Sequence, residues 1–165
     1  MGTLMALLVA AICGIGYYKA QTSLEESVSG EINAALHVES EKMDAWMSRK
    51  VQRTESAANL VSALDGNPIE MNPSIMSLAA GDKELIDLAY GAEDARFISY
   101  SDGNLTGEFN PLDRPWYRDA KAAGKTIITP VYQDAISKKT VVSIAAPYQG
   151  ADGAFRGVVV SDIAL

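Results

Sequence analysis

The chain has 165 residues, 14 basic and 21 acidic, for a net charge of −7. That length fits one domain with an appendage, and the acidic balance argues against a nucleic-acid partner, which needs clustered Lys and Arg. One Cys and one His exclude an internal disulfide, a cysteine-based zinc site and a His-based metal cluster, and no cofactor is expected.

Residues 1–18, "MGTLMALLVAAICGIGYY", carry no charge, and Lys19 is the first. As a helix this run covers about 27 Å, enough to cross a bilayer core. Tyr17 and Tyr18 stand where an interfacial aromatic belt lies. A cleaved signal peptide is disfavoured by the missing basic start and cleavage site, and a lipoprotein reading of Cys13 by the large Ile12 before it. The run is expected to be a membrane anchor, preceded by a short basic flank upstream of Met1, with the rest of the chain periplasmic or extracellular.

Residues 19–64 contain no Pro and one Gly, Gly30. Apolar residues recur at Leu24, Val28, Ile32, Leu36, Met43, Met47, Val51, Ala58, Val61 and Leu64, in steps of mostly 3, 4 or 7. That spacing predicts an amphipathic helix of about 45 residues and about 70 Å. Such a helix reads as a stalk continuous with the anchor, its distal part packed on a domain over 65–165. Its heptad-like steps suggest a homodimer of paired stalks. His37 reads as a surface or interface residue.

"DGNP" (Asp65 to Pro68) ends the helix, and Asn72 to Gly81 reads as a short second helix with Pro73 at its first position. Strands follow at Glu84 to Tyr90 and Ala95 to Ser101, then a loop from Asp102. A short helix is opened by Pro115 and closed by Gly124. Three more strands are expected at Lys125 to Ala135, Lys139 to Gln149 and Ala154 to Leu165, the last two joined through "GADG". The order predicts an α+β domain, a long helix on a five-stranded antiparallel sheet. Alternation puts Val158, Val160 and Asp162 on one face of the last strand, and Val159, Ser161 and Ile163 on the other.

A carboxylate that deep in an apolar strand calls for a partner. Arg114, Trp116, Tyr117, Tyr132, Asp134 and Asp162 supply one cation, two carboxylates and three aromatics with polar tips. Arg grips a carboxylate bidentately, and two Asp together hold an ammonium. A pocket with those two ends suits a zwitterion such as a free amino acid. A structural Arg–Asp salt bridge with aromatics filling the core explains the same composition, and the residues alone leave both readings open.

"NPLDRPWYRDAKAAGK", "ITPVYQDAISKKTVVSIAAPY" and "GVVVSDIAL" resemble the membrane-distal module of the double Cache sensor domains, a PAS-like fold found in bacterial chemoreceptors and sensor kinases. The resemblance runs from about Lys19 to the C-terminus. It implies that Arg114 and Trp116 hold a ligand carboxylate. Asp134 and Asp162 would hold its amino group, with Tyr117 and Tyr132 assisting. The family usually has Tyr where this chain has Phe109, so one hydroxyl contact in the ligand site is lost. The resemblance also implies a second module, a second membrane helix and a signalling region, so the chain is expected to be a fragment. Chemotaxis is the expected output; a histidine kinase, a cyclic-dinucleotide enzyme or a membrane-anchored adaptor are the alternatives.

Asp102 to Asp113 resembles a calcium loop but has Thr at position five, Asp at twelve and a strand before it, so no metal is expected. Asn104 to Thr106 forms a glycosylation sequon that matters only in a eukaryotic secretory setting. Asp134 and Asp162 lack a His, Cys or metal partner for acid–base catalysis, and "GVVVSD" lacks a nucleophile elbow, so the chain is read as a binding module and not an enzyme.

Overall fold

The computed structural model describes residues 2–64, 73–79 and 82–164, with side chains described for only part of the first helix. The chain divides into two units, Met1–Trp46 and Met47–Leu165. Helix α1 (Gly2–Ala63) runs unbroken through the first and into the second. In the first unit the described apolar residues Leu24, Val28, Ile32, Leu36 and Met43 are exposed. Among the described residues no helix is long and apolar enough to cross a membrane. The anchor expected over 1–18 falls mostly on residues whose side chains lie outside those described. The expected stop at Asp65 to Pro68, the cap Asn72 and the closing Gly81 also lie outside them.

The second unit is an antiparallel sheet with helices on both faces. After α2 (Pro73–Ala79) come β1 (Leu85–Ala92), β2 (Phe97–Ser99), β3 (Gly103–Asn104), α3 (Pro115–Ala123), β4 (Ile127–Ile128), β5 (Tyr132–Gln133), β6 (Thr140–Gln149) and β7 (Phe155–Ala164). The strand order is β3-β2-β1-β7-β6-β4, with β5 also paired to β6.

The sheet thus has seven strands where five were expected. The expected strand Lys125 to Ala135 is cut in two at Pro130, which has no N–H to give the ladder. Beside the break, Ser143 N donates to the Thr129 side-chain oxygen at 3.0 Å, while Thr129 N donates to the Ser143 carbonyl at 2.9 Å. The other addition, β3, lies in the expected loop and pairs Ser99 with Gly103 and Ile98 with Asn104.

The strand alternation in β7 gives two separate cores. On one face Ala57, Ala58 and Val61 of α1 pack with Leu88, Tyr90, Ala146 and Val159. On the other, Trp116, Tyr117 and Ala120 of α3 pack with Ala89, Ala145, Val158 and Val160. Asp162 therefore belongs to the α3 face and Ser161 to the α1 face.

Candidate ligand-binding site

The segment before α3 is held locally. Asn110 caps a 3-10 turn (Pro111–Asp113), accepting from Leu112 N at 3.1 Å and donating from Nδ2 to Asp113 at 2.7 Å. Arg114 then stands at the N-cap of α3 in extended conformation, with Pro115 at the first helical position. Gly124, at φ 63°, closes the helix in the left-handed region that Gly enters without penalty. The turn fits on the sheet because Gly91 has no side chain. A Cβ there would lie 2.5 Å from Pro111 Cβ and 3.4 Å from the Trp116 ring.

Under this segment, between α3 and the sheet, lies a small cavity. It is lined by Phe109, Trp116, Asp134 and Asp162, together with Ile86, Asp87, Phe97, Ser101, Asp102, Ile136, Ser137 and Val160. Its enclosed volume is about 20 Å³, room for roughly one water. A larger guest requires its walls to part.

The floor is a polar row across three strands. In the register, Asp87 of β1 lies opposite Asp162 of β7, and Asp162 lies opposite Ser143 of β6. Directly paired residues of antiparallel strands present their side chains to the same face. Ser143 Oγ donates to Asp162 Oδ1. The Tyr132 hydroxyl meets the same Ser143 Oγ at 2.7 Å, so Tyr132 joins the row through Ser143. Burial pushes the Asp162 carboxyl up to about 7; Asp134 and Asp87 push the same way, while Ser143 and Tyr132 oppose. Burial, with Asp162 next in weight, raises the Tyr132 phenol to about 12, so it serves as a neutral donor.

Asp134 is fixed by its own turn. Its Oδ2 accepts from Ile136 N at 3.1 Å, Ser137 N at 2.6 Å and Ser137 Oγ at 2.8 Å. These local bonds explain how a carboxylate 8% exposed is tolerated.

Arg114 does not line the cavity itself. Its guanidinium carbon stands 5.4 Å from the centre of the Phe109 ring, which does line it. Its Nε is buried without a hydrogen-bond partner, and among the described residues Arg114 forms no ion pair. The salt-bridge alternative raised by the sequence is therefore not what holds Arg114. A buried guanidinium nitrogen without a partner is a costly feature.

Tyr117 is buried away from the cavity lining. It packs edge-on to Phe155 with ring centres 6.0 Å apart, and its hydroxyl is raised to about 12 by burial and then by Glu93 and Asp94. Of the seven sequence candidates, Phe109, Trp116, Asp134 and Asp162 line the cavity directly. Tyr132 joins through Ser143 and Arg114 through Phe109.

Sequence reasoning missed Asp87, Ser101, Asp102 and Ser143. Asp87 carried the same signal as Asp162, a carboxylate inside an apolar strand. Among the described residues no group of three or more His, Cys, Asp or Glu is placed to hold a metal ion.

The chain is similar to known proteins in sequence and in fold. Residues 49–165 match the family model described as methyl-accepting chemotaxis protein-like, first PDC sensor domain. The chain is similar to the methyl-accepting chemotaxis protein PscA of Pseudomonas syringae pv. tomato, 27% identical over 92% of this chain and 24% of that protein. It also resembles PctB of Pseudomonas aeruginosa, 23% identical over 88% of this chain and 23% of that protein. The chain thus spans about a quarter of the length of these relatives. In structure it resembles the ligand-binding domain of the Pseudomonas fluorescens chemoreceptor CtaA in complex with L-serine, at TM-score 0.59 and 27% identity, over 73% of this chain and 52% of that one. It shares its fold with the ligand-binding domain of Mlp24 with asparagine, at TM-score 0.62 and 24% identity, over 74% and 51% of the two chains. The match over residues 49–165 covers the whole sheet and the cavity, and the chain belongs to the methyl-accepting chemotaxis protein-like family, as its first PDC sensor domain.

Proposed function

We propose that this domain binds a free amino acid as the extracytoplasmic sensor of a membrane chemoreceptor. Arg114 and Trp116 take the carboxylate, and Asp134 and Asp162 take the ammonium. Tyr132 orients Asp162 through Ser143, and Phe109 lines the cavity at the position where the resemblance noted from the sequence implies a Tyr. Tyr117 supports Trp116, against which it packs at 5.8 Å between ring centres. The observation that carries the reading is the pairing of opposites at one cavity: the partnerless Arg114 Nε near one wall, buried Asp134 and half-buried Asp162 on others. A zwitterion satisfies both ends, whereas a simple amine leaves Arg114 unpaired. Complexes of CtaA with L-serine and of PctB with L-Arg agree with that ligand class. Residues 1–18 serve as the membrane anchor, and the exposed apolar stripe of α1 pairs two copies. The domain works by binding and not by catalysis.

The test is thermal unfolding of the chain against the twenty amino acids and a set of simple amines, with Arg114→Ala and Asp162→Ala beside it. A ligand that raises the melting temperature of wild type and of neither variant supports the reading, because binding only the folded state stabilises it by mass action. Amines that shift wild type and Arg114→Ala alike would overturn it.

A further inference from the structure

The α-amino and α-carboxyl ends of a ligand account for Arg114, Trp116, Asp134 and Asp162. They leave unexplained the other wall of the cavity, made by β1 and the β2–β3 turn. There Asp87 is only 8% exposed, and its Oδ1 accepts from Leu88 N at 2.9 Å and Ser101 N at 3.0 Å. Ser101 Oγ donates to Asp102 Oδ2 at 2.9 Å, and Asp102 N donates to the fully buried Ser99 Oγ at 2.9 Å. The wall is thus built on buried anchors and presents two carboxylates to the cavity.

Asp87 also lies directly opposite Asp162 in the strand register. Like charges in that position are destabilising, and the cost is sharper where burial removes water. Four carboxylates, Asp87, Asp102, Asp134 and Asp162, line the cavity and no Lys or Arg does. A neutral amino acid adds one charge of each sign and leaves that surplus standing. The carboxylates are not gathered as a metal cage, so an elongated organic cation suits them better than an ion.

We propose that Asp87, Ser101 and Asp102 form the side-chain end of the pocket, and that they select an amino acid whose side chain carries a positive charge. This rests on the amino-acid reading above. Held by its α-groups at Asp134, Asp162 and Arg114, such a ligand extends its ammonium or guanidinium across the floor to Asp87. There it relieves the Asp87–Asp162 repulsion, and an acidic side chain is rejected by the same charges.

Calorimetric titration of the full chain with L-arginine, L-lysine, L-alanine, L-serine and L-glutamate tests it. Wild type is expected to bind a cationic amino acid about tenfold or more tighter than L-alanine, with no measurable L-glutamate binding. Asp87→Asn keeps the Oδ1 acceptor for Leu88 and Ser101, so the fold has its hydrogen bonds. It is expected to remove most of the cationic preference, bringing L-arginine and L-alanine to within about threefold of one another. Asp102→Asn acts in the same direction, and ligand-free melting curves verify that both variants fold. Neutral amino acids binding as tightly as cationic ones would overturn this proposal and leave the amino-acid reading standing. So would both Asp variants weakening L-alanine and L-arginine alike. Absence of binding by every amino acid would overturn both.

Discussion

Thr54 of α1 and Ser161 of β7 are hydrogen-bonded across the back of the sheet, with 2.8 Å between their side-chain oxygens. Thr54 is fully buried and its hydroxyl also lies 3.0 Å from the Lys50 carbonyl. Ser161 is the neighbour of Asp162, so one stretch of β7 faces the cavity with one residue and grips α1 with the next. Thr54→Val leaves the Ser161 hydroxyl buried and unpaired, at an expected cost of about 1–3 kcal/mol. Denaturant unfolding of Thr54→Val, Ser161→Ala and the double variant measures it. The double variant should be less destabilised than the two singles summed; strict additivity would mean that the bond contributes nothing.

Gly91 and Gly157 are constrained by space. Gly91→Ala puts a methyl 2.5 Å from Pro111 Cβ, and Pro111 is a buried residue of the turn that leads into Arg114. Overpacking of this kind costs about 1–3 kcal/mol, and here it also moves Trp116. Gly157→Ala meets the Gly91 carbonyl oxygen at 2.2 Å, a backbone atom that cannot turn aside. The expected order of melting temperature is wild type, then Gly91→Ala, then Gly157→Ala. Ligand affinity should fall in Gly91→Ala as well as stability.

Strand alternation is a strict period-two rule, and it made much of the site legible in the sequence. Alternation alone assigns Val158, Val160 and Asp162 to one face of β7 and Ser161 to the other. The α3 boundaries were legible because Pro115 and Gly124 each have a backbone reason to be there. The strand order was not, since pairing β1 with β7 is a long-range choice that no local pattern encodes. The split at Pro130 was readable in principle, from the missing N–H. The wall made by Asp87, Ser101 and Asp102 was hidden because it exists only once β1 meets β7 and the β2–β3 turn folds beside them. Tyr117 was grouped with Trp116 by adjacency, but successive helix positions point about 100° apart, and it packs toward Phe155 instead.

Lys50 of α1 is 8% exposed and pairs with Asp82 at 2.5 Å, while Arg53 reaches the same carboxylate at 2.9 Å. Burial alone would raise the Asp82 carboxyl. The Lys50 hydrogen bond, the Glu84 backbone N–H and the charges of Lys50 and Arg53 together hold it below its ordinary 3.8. A depressed acid contributes stability that is present above the unfolded value and is lost as pH falls through the folded one. Lys50→Met is expected to cost about 3 kcal/mol at pH 7, because it strips the main partner from a buried carboxylate. The deficit should shrink as pH falls below about 4, where Asp82 is protonated in the unfolded chain. A deficit that does not change with pH would assign the loss to packing of the Lys stem alone.

Asp162 runs the other way. Its carboxyl is raised to about 7, chiefly by burial, so the folded chain holds the proton more tightly than the unfolded chain does. Stability from this group is complete below the unfolded value near 3.8, declines as pH rises toward 7, and is level above it. Asp162→Asn should therefore be more stable than wild type at pH 8, by on the order of 3 kcal/mol, and equal to it at pH 4. Binding has the opposite slope. On the binding mode proposed above, an ammonium requires the ionised carboxylate, so taking up an amino acid would expel the proton from Asp162. Affinity should rise with pH from about 5.5 to about 7, by up to about tenfold per unit, and then level off. Titration of one amino acid in two buffers of different ionisation enthalpy would register the released proton. An affinity flat across that range, with no proton release, would remove Asp162 from the ammonium site.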